Sequence, residues 1–180
     1  MRILGIDPGS LVTGFGIIDS DGRRSIHVDS GCIRVKGADL VVRLGLIFDQ
    51  VAALVETHDP DVLSIEQVFV SRNAASALKL GQARGAAICA GVQGGLPVVE
   101  YSPTAIKQAV VGTGSASKEQ VQHMITVILG LKVAPSSSDA ADALAVALCH
   151  AHTQATVARM PAGAAELMTR GRNARRRMRR

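Results

Sequence analysis

Short apolar runs that end in a carboxylate recur along this chain. The first covers residues 1–7, Met-Arg-Ile-Leu-Gly-Ile-Asp, and a Pro-Gly pair follows it at once. An apolar run that stops at such a turn predicts a buried strand with Asp7 at its end. Residues 12–18 predict a second strand that completes a hairpin. The alternating pattern of residues 25–35 predicts a third strand, interrupted near Ser30-Gly31.

Helical spacing replaces this alternation after the first three strands. Residues 40–55 repeat apolar side chains on one helical face, and His58-Asp59-Pro60 predicts the helix end, because the residue before proline is displaced from helical geometry. A fourth strand is predicted over residues 61–66, and it again ends in an acid. Residues 74–92 then predict a helix rich in alanine and glycine, and residues 97–101 predict a fifth strand.

Two glycines lie one turn apart in the predicted helix over residues 74–92. Gly81 and Gly85 each cost about 0.5–1 kcal/mol relative to alanine in a helix. Close approach of another backbone would compensate for that cost. A contact between two copies of the chain and tight packing on the sheet both satisfy this condition, and the sequence leaves both open.

The remaining ordered chain is predicted to be helical. Ser102 and Pro103 begin a helix, and a flexible loop follows over residues 112–117. A capping box over residues 117–120 opens another helix, which ends near Leu129. Ser138 is expected to cap the last helix.

The last helix is predicted to continue to about His152, with Asp139 and Asp142 opposite an apolar face. Strands first, followed by alternating helices and strands, predict an α/β domain with a five-stranded mixed sheet flanked by helices.

Composition narrows the class of protein. A chain of 180 residues with 47% hydrophobic content fits one globular domain. It has no run of eighteen uncharged apolar residues and begins directly in a strand, so we expect a soluble, cytoplasmic protein with no membrane partner. The three cysteines are odd in number and lack C-x-x-C spacing, which argues against disulfides and a zinc knuckle. Cys149, His150 and His152 lack a fourth ligand nearby.

The net charge of +5 arises from one end of the chain. Residues 170–180 contain seven arginines and no acid, which leaves 13 basic and 15 acidic groups elsewhere. We therefore predict a domain over residues 1–155 and a basic, disordered tail over residues 156–180. Such a tail is attracted to polyanions, most commonly nucleic acid, by counterion release. A purely solubilising tail is the alternative.

Four acids occupy comparable positions: Asp7 and Glu66 end strands, and Asp139 and Asp142 begin the last helix. Three of them also have a simpler explanation. Asp commonly caps turns, which would account for Asp7, and acids in a first helical turn, such as Asp139 and Asp142, interact favourably with the helix dipole. If the four converge, a cation must neutralise them, and carboxylate oxygens suit Mg²⁺ or Mn²⁺. Two such ions about 3.5–4 Å apart support phosphodiester hydrolysis, which together with the basic tail indicates a nuclease.

A set of ordered motifs over about residues 2 to 153 closely resembles the RuvC family of bacterial crossover junction endodeoxyribonucleases, the Holliday junction resolvases. The motifs are Gly5-Ile6-Asp7-Pro8-Gly9-Ser10, Thr13-Gly14, Ser30-Gly31-Cys32-Ile33, Ile65-Glu66-Gln67-Val68-Phe69, Asn73-Ala74, Leu80-Gly81-Gln82-Ala83-Arg84-Gly85, Lys107-Gln108, Val111-Gly112, Gly114-Ser115-Ala116, Lys118, Val121-Gln122 and Asp139-Ala140-Ala141-Asp142-Ala143. The resemblance implies an RNase H-like fold and a Mg²⁺-dependent hydrolase of DNA recombination and repair. It also implies a homodimer that makes paired, symmetric nicks in a four-way DNA junction, and RuvA-RuvB branch-migration partners.

The resemblance also assigns roles to individual residues. Asp7, Glu66, Asp139 and Asp142 match the family's catalytic and metal-binding acids, which implies two Mg²⁺ ions per site, with Mn²⁺ as a possible substitute. Lys107 and Lys118 match basic residues near the scissile phosphate and the DNA backbone; a solvated helix face is the alternative for both. Phe69 matches an aromatic that stacks on junction bases, and core packing is its alternative.

Two other functions compete with the nuclease. The first hairpin also resembles the phosphate hairpin of ATP-binding enzymes of the actin and sugar-kinase class, but those enclose nucleotide between two related domains. A junction-binding protein without catalysis, whose acids are merely structural, is the second rival.

Overall fold

A computed structural model describes residues 1–37, 39–69, 73–135 and 137–160. The strands are β1 (Arg2–Asp7), β2 (Val12–Ser20), β3 (Ser25–Arg34), β4 (Val62–Glu66) and β5 (Val98–Tyr101). The helices are α1 (Leu40–His58), α2 (Ala74–Gln93), α3 (Pro103–Val111), α4 (Lys118–Ile128) and α5 (Ser138–Ala158).

The five strands form one mixed sheet in the order β3-β2-β1-β4-β5. β1 pairs antiparallel with β2 and parallel with β4, and β4 pairs parallel with β5. Ile6 of β1 lies opposite Ile65 of β4, so the next residues, Asp7 and Glu66, end neighbouring strands at the same edge of the sheet. The predicted α/β class and five-stranded mixed sheet are confirmed.

Alternate residues of each strand supply a core on each face of the sheet, as the period of two in a strand requires. Leu4 and Ile6 of β1 pack with α1 and α2 on one face. Ile3 packs on the other face with α3, α4 and α5. Asp7 follows Ile3 at an even spacing and therefore projects on the face that carries α5.

Helix α5 lies directly on the sheet because glycines underlie it. A Cβ atom at Gly5 would overlap the carbonyl oxygen of Ala143, and one at Gly14 would overlap the carbonyl oxygen of Asp139. A Cβ atom at Gly16 would lie 2.7 Å from the backbone nitrogen of Leu144. These glycines let the backbone of α5 approach to a distance that no other residue type permits, and they fix its height and register above β1 and β2.

The central part of α5 is buried on all sides rather than on one face. Every residue from 143 to 151 is less than 9% exposed, because α3 and α4 cover the side that faces away from the sheet. The apolar face that the sequence predicts opposite the acids is buried, and burial extends to the other sides of the helix as well. The small alanines of this helix accommodate packing against three neighbours.

Several element boundaries also differ from those expected. The N-cap of α5 is Ser137, whose hydroxyl accepts from the backbone of Ala140 at 3.1 Å, and not Ser138. The helix continues to Ala158, six residues past the expected end. Strand β3 runs unbroken through Ser30-Gly31, and the irregularity in its pairing with β2 falls opposite Ile17 and Ile18.

Tight packing of Gly81 and Gly85 on the sheet is excluded. A Cβ atom added at either glycine would meet nothing within 4 Å, so both lie on an open part of α2. The alternative, a contact with a second copy, stays a prediction.

The predicted tail lies largely outside the described residues, which end at Met160. Among the described helices, none combines the length and the apolar character needed to cross a membrane.

Replacement of Gly5 by alanine tests the contact between α5 and the sheet. We expect Gly5→Ala to lower the free energy of unfolding by about 3 kcal/mol or more, at or above the upper end of the usual range for overpacking, because the obstacle is backbone. Chemical denaturation measures this change. Gly45→Ala on α1 is the matched control: nothing lies within 4 Å of its Cβ position, so it should stabilise the protein slightly. Equal stability of the two variants would contradict the proposed contact.

Candidate active site

The structure brings the four predicted acids to one end of the sheet. Asp7 and Glu66 are the last residues of the adjacent strands β1 and β4. Asp139 and Asp142 lie near the start of α5, which the glycines of β1 and β2 hold directly above. The acids interact electrostatically, since Glu66, Asp142 and Asp139 all affect the ionisation of Asp7.

The loop that follows Asp7 is held by side-chain bonds to its backbone. The hydroxyl of Thr13, which is fully buried, donates to the carbonyl of Gly9 at 2.9 Å and accepts from the Gly9 amide at 3.3 Å. Arg43 of α1 donates to the carbonyl of Ser10 at 2.9 Å. These bonds fix the path of the chain as it leaves the strand, and hence the position of Asp7.

Burial and neighbouring negative charge make Asp7 a weak acid. Loss of solvation, repulsion by Glu66 and Asp142, and a hydrogen bond to the Glu66 carboxyl together raise the pKa of Asp7 to about 8. The pKa of Glu66 is raised as well, first by burial, although its hydrogen bond with Asp7 opposes the rise. The two carboxyl groups therefore share a proton at neutral pH, with Asp7 as the donor.

Two lysines border the acids. The Nζ atom of Lys118, the first residue of α4, lies 2.7 Å from Oδ2 of Asp142, and this hydrogen bond raises the pKa of Lys118. Lys107 lies within α3 rather than before a helix, and its charge lowers the pKa of Glu66. A cleft of about 190 Å³ is lined by Glu66, Lys107, Lys118 and Asp142 together with apolar residues of α3, α4 and α5.

The acids fit a hard divalent cation in chemistry. They supply carboxylate oxygens, and burial together with neighbouring negative charge raises the pKa of Asp7. Within the described residues, however, no three Asp, Glu, His or Cys side chains already surround a common point as metal ligands. Asp142 is instead paired with Lys118.

Comparison with known proteins identifies the family. The sequence profile of "Crossover junction endodeoxyribonuclease RuvC" matches residues 3–150. The chain belongs to the RuvC family. It is 55% identical over 170 residues to the RuvC of Shewanella sp. (strain MR-4), and the aligned region covers 94% of this chain and 97% of the relative. It is 59% identical over 157 residues to the RuvC of Burkholderia ambifaria (strain MC40-6), and the aligned region covers 87% of this chain and 85% of the relative.

A solved structure agrees with this assignment. Thermus thermophilus RuvC in complex with a Holliday junction substrate superposes with a TM-score of 0.82 at 35% identity, covering 87% of this chain and 96% of that one. The RNase H-like fold is confirmed, as is the family of endodeoxyribonucleases that the motifs predicted.

Phe69, the predicted stacking residue of this RuvC-family chain, is 64% exposed. Core packing, the alternative explanation for this side chain, is therefore excluded. Phe69 lies three residues beyond Glu66, in the segment that leaves β4. A large apolar ring is therefore exposed three residues beyond Glu66 and is available to a ligand.

The two histidines near Cys149 do not form a metal cluster in the described chain. His150 is buried, and its Nδ1 atom lies 2.8 Å from the Tyr101 hydroxyl. The Nδ1 atom of His152 lies 2.9 Å from the carbonyl oxygen of Ala109. Each histidine thus connects α5 to a neighbouring element.

Sequence reasoning missed three groups that shape this RuvC-family site. Ser137 caps α5 and contacts Cys32 of β3, with Oγ and Sγ 2.8 Å apart. Arg84 of α2 donates to the backbone carbonyl of Glu66 at 3.1 Å. The glycines under α5 were also missed, although their recurrence at Gly14 and Gly16 on one face of a strand was a visible signal. Nothing local marks Ser137. Arg84 lies within the motif over residues 80–85, but its role was not visible because its partners are distant in sequence.

The raised pKa of Asp7 predicts how stability changes with pH. Its carboxyl binds a proton more tightly in the folded state than at the reference value of 3.8, so the metal-free protein should lose stability as pH rises from about 4 to about 8. In EDTA, Asp7→Asn should remove much of this slope and raise the Tm at pH 8.5 by several degrees, since each kcal/mol is worth about 2–4 °C in a domain of this size.

Thermal unfolding from pH 5 to pH 9 measures the difference. Asp49→Asn, at an exposed acid on α1, is the control and should follow the wild type. Added Mg²⁺ should restore stability to the wild type at high pH, and less to Asp7→Asn. Parallel pH profiles for wild type and Asp7→Asn would show that folding does not raise the pKa of Asp7.

Proposed function

We propose that this protein is a Mg²⁺-dependent endonuclease that resolves Holliday junctions in DNA recombination and repair. In this proposal it makes paired, symmetric nicks in two strands of a four-way junction. The observation that carries the proposal is the set of four acids, distant in sequence, at one end of the sheet beside two lysines and an exposed aromatic ring. An acid cluster for cations, bordered by positive charge for phosphates, suits hydrolysis of a nucleic-acid backbone.

The substrate is taken from the relatives. T. thermophilus RuvC has been described in complex with a Holliday junction substrate, and the curated relatives are named crossover junction endodeoxyribonucleases. The high identity over nearly the whole chain supports the same substrate class here.

The proposed ligands of two Mg²⁺ ions, for which Mn²⁺ can substitute, are Asp7, Glu66, Asp139 and Asp142. When bound, such ions activate water and stabilise the leaving oxygen of a phosphodiester. Asp7 must lose its proton to serve as a ligand, because the pKa of about 8 leaves it largely neutral at pH 7 in the metal-free site.

The lysines and Phe69 are proposed to bind and position DNA. Lys118 pairs with Asp142 at the edge of the cleft, and its ammonium would contact the scissile phosphate. Lys107 lies across the same cleft and would contact the adjacent backbone. Phe69 would stack on a base opened at the junction, an interaction worth about 1–3 kcal/mol for each base.

A homodimer gives the symmetry that paired nicks need. Helix α2 presents an open stripe for this contact: Leu78 is 70% exposed, Val92 is 60% exposed, and Gly81 and Gly85 lie between them with nothing over their Cβ positions. Glycines on an exposed helix allow a second helix to approach closely. Cytoplasmic location, RuvA-RuvB partners and DNA binding by the arginine-rich tail complete the proposal.

Neutralisation of single acids tests the catalytic assignment. Asp7→Asn and Glu66→Gln should reduce cleavage of a synthetic four-way junction by more than about 100-fold, beyond the 10–100-fold that loss of an outer partner of a metal ligand costs. Both should retain junction binding, because the lysines and Phe69 are unchanged. Cleavage gels and binding in EDTA separate the two effects.

Asp49→Asn is again the matched control and should cleave normally. Linear duplex of the same sequence controls for junction selectivity. Near-normal nicking by Asp7→Asn or Glu66→Gln would remove that residue from the active site. Junction binding by the wild type without cleavage in any Mg²⁺ or Mn²⁺ concentration would favour the non-catalytic rival.

A charged substitution on α2 tests the dimer. Leu78→Glu should convert the dimer to monomer in sedimentation experiments, because it places a charge within a desolvated contact. Val133→Glu is the matched control: Val133 is 80% exposed and lies outside α2, so its replacement should leave the dimer intact. An unchanged sedimentation coefficient for Leu78→Glu would exclude this stripe as the interface.

A further inference from the structure

We propose that Arg84 is a positioning residue for Glu66. Its guanidinium fixes the backbone where β4 ends and thereby directs the Glu66 carboxylate toward the other acids. This inference rests on the catalytic role proposed for Glu66, and it adds a residue from α2, on the opposite face of the sheet from α5.

Arg84 makes two well-defined contacts in a largely enclosed position. Its Nε atom donates to the carbonyl oxygen of Glu66 at 3.1 Å, and its Nη2 atom lies 2.8 Å from Oε1 of Glu100 on β5. The Arg84 side chain is 18% exposed, whereas the Glu100 side chain is 45% exposed. The planar guanidinium therefore spans the ends of two adjacent strands, a geometry that lysine cannot reproduce.

The end of β4 is paired on one side only, because Glu66 is in register with Tyr101 of β5. The ladder between β1 and β4 stops at Ile6 and Ile65, so Glu66 has no paired residue on the β1 side. On the β5 side, the amide of Gln67 donates to the carbonyl of Tyr101 at 2.8 Å. The bond from Arg84 holds the Glu66 carbonyl, and the two bonds together fix the orientation of the peptide group that joins Glu66 to Gln67.

Such a constraint is needed because the acids repel one another. A freely rotating strand end would let the carboxylate turn toward solvent and away from the cluster. A fixed backbone limits this rotation, so the Glu66 carboxylate stays near Asp7 before any cation binds.

A comparison of two substitutions separates positioning from simple ion pairing. Arg84→Lys keeps the positive charge beside Glu100 but cannot span both partners, so we expect the single-turnover cleavage rate to fall about 10-fold, within the range for outer partners of metal ligands. Junction affinity should stay within about twofold, because no residue of the cleft has changed. Glu100→Gln removes the charged partner and keeps the bond to the Glu66 carbonyl, so its rate should fall about threefold or less.

Binding of Mn²⁺ to the free protein, measured by calorimetry, supplies a second readout. Arg84→Lys should weaken it several-fold, and Glu100→Gln should leave it nearly unchanged. Lys79→Gln, at an exposed position on the same helix, is the control for both assays. The Tm of each variant, measured in parallel, identifies losses that come from unfolding.

The outcomes distinguish this inference from the proposed function. If Glu66→Gln is inactive while Arg84→Lys cleaves and binds Mn²⁺ normally, the positioning role is wrong and the proposed function stands. If Arg84→Lys and Glu100→Gln lose equal activity in proportion to a lowered Tm, Arg84 is only part of a stabilising ion pair. If Glu66→Gln itself cleaves normally, the role of Glu66 fails and the inference with it.

Discussion

Direct contact between the backbone of α5 and the glycines of β1 and β2 is the constraint on which the site depends. Gly5 and Gly14 leave no room for a side chain beneath Ala143 and Asp139. The helix is thus fixed at a height that sets its first acids beside the strand end that carries Asp7. A layer of ordinary side chains would raise the helix by several ångströms and separate the acids. The fold and the site therefore share one structural requirement.

This requirement has an energetic consequence. The packing that brings the acids together also removes them from water, and both effects disfavour their ionised forms. The pKa of about 8 for Asp7 expresses this cost, which a shared proton with Glu66 and the Lys118–Asp142 pair reduce. The metal-free site is thus destabilised at neutral pH. Favourable binding of cations is the expected counterpart, because they relieve the repulsion that the fold imposes.

Around the acids, hydrogen bonds hold parts of the backbone in place, whereas other side chains are exposed to solvent. Thr13 and Arg43 hold the loop after Asp7, and Arg84 holds the backbone of Glu66. Lys118 and Phe69, in contrast, are substantially exposed. Rigid support for the acids and accessible groups beside them suit a site that must bind cations precisely and also accept a large, variable DNA substrate. The open stripe on α2 lies on the other face of the sheet, so an interface there leaves the cleft free.

The sequence by itself determined the number and order of the elements, because apolar periodicity and turn residues act locally. It also indicated Asp7, Glu66, Asp139 and Asp142, since each ends a strand or begins a helix, and the ordered motifs indicated the family. Only the tertiary structure decided that α5 is buried on all sides, that Ser137 rather than Ser138 caps it, that Gly81 and Gly85 do not pack on the sheet, and that Arg84 reaches Glu66. These features depend on contacts between residues far apart in the chain, and such contacts leave no local pattern from which they could be read.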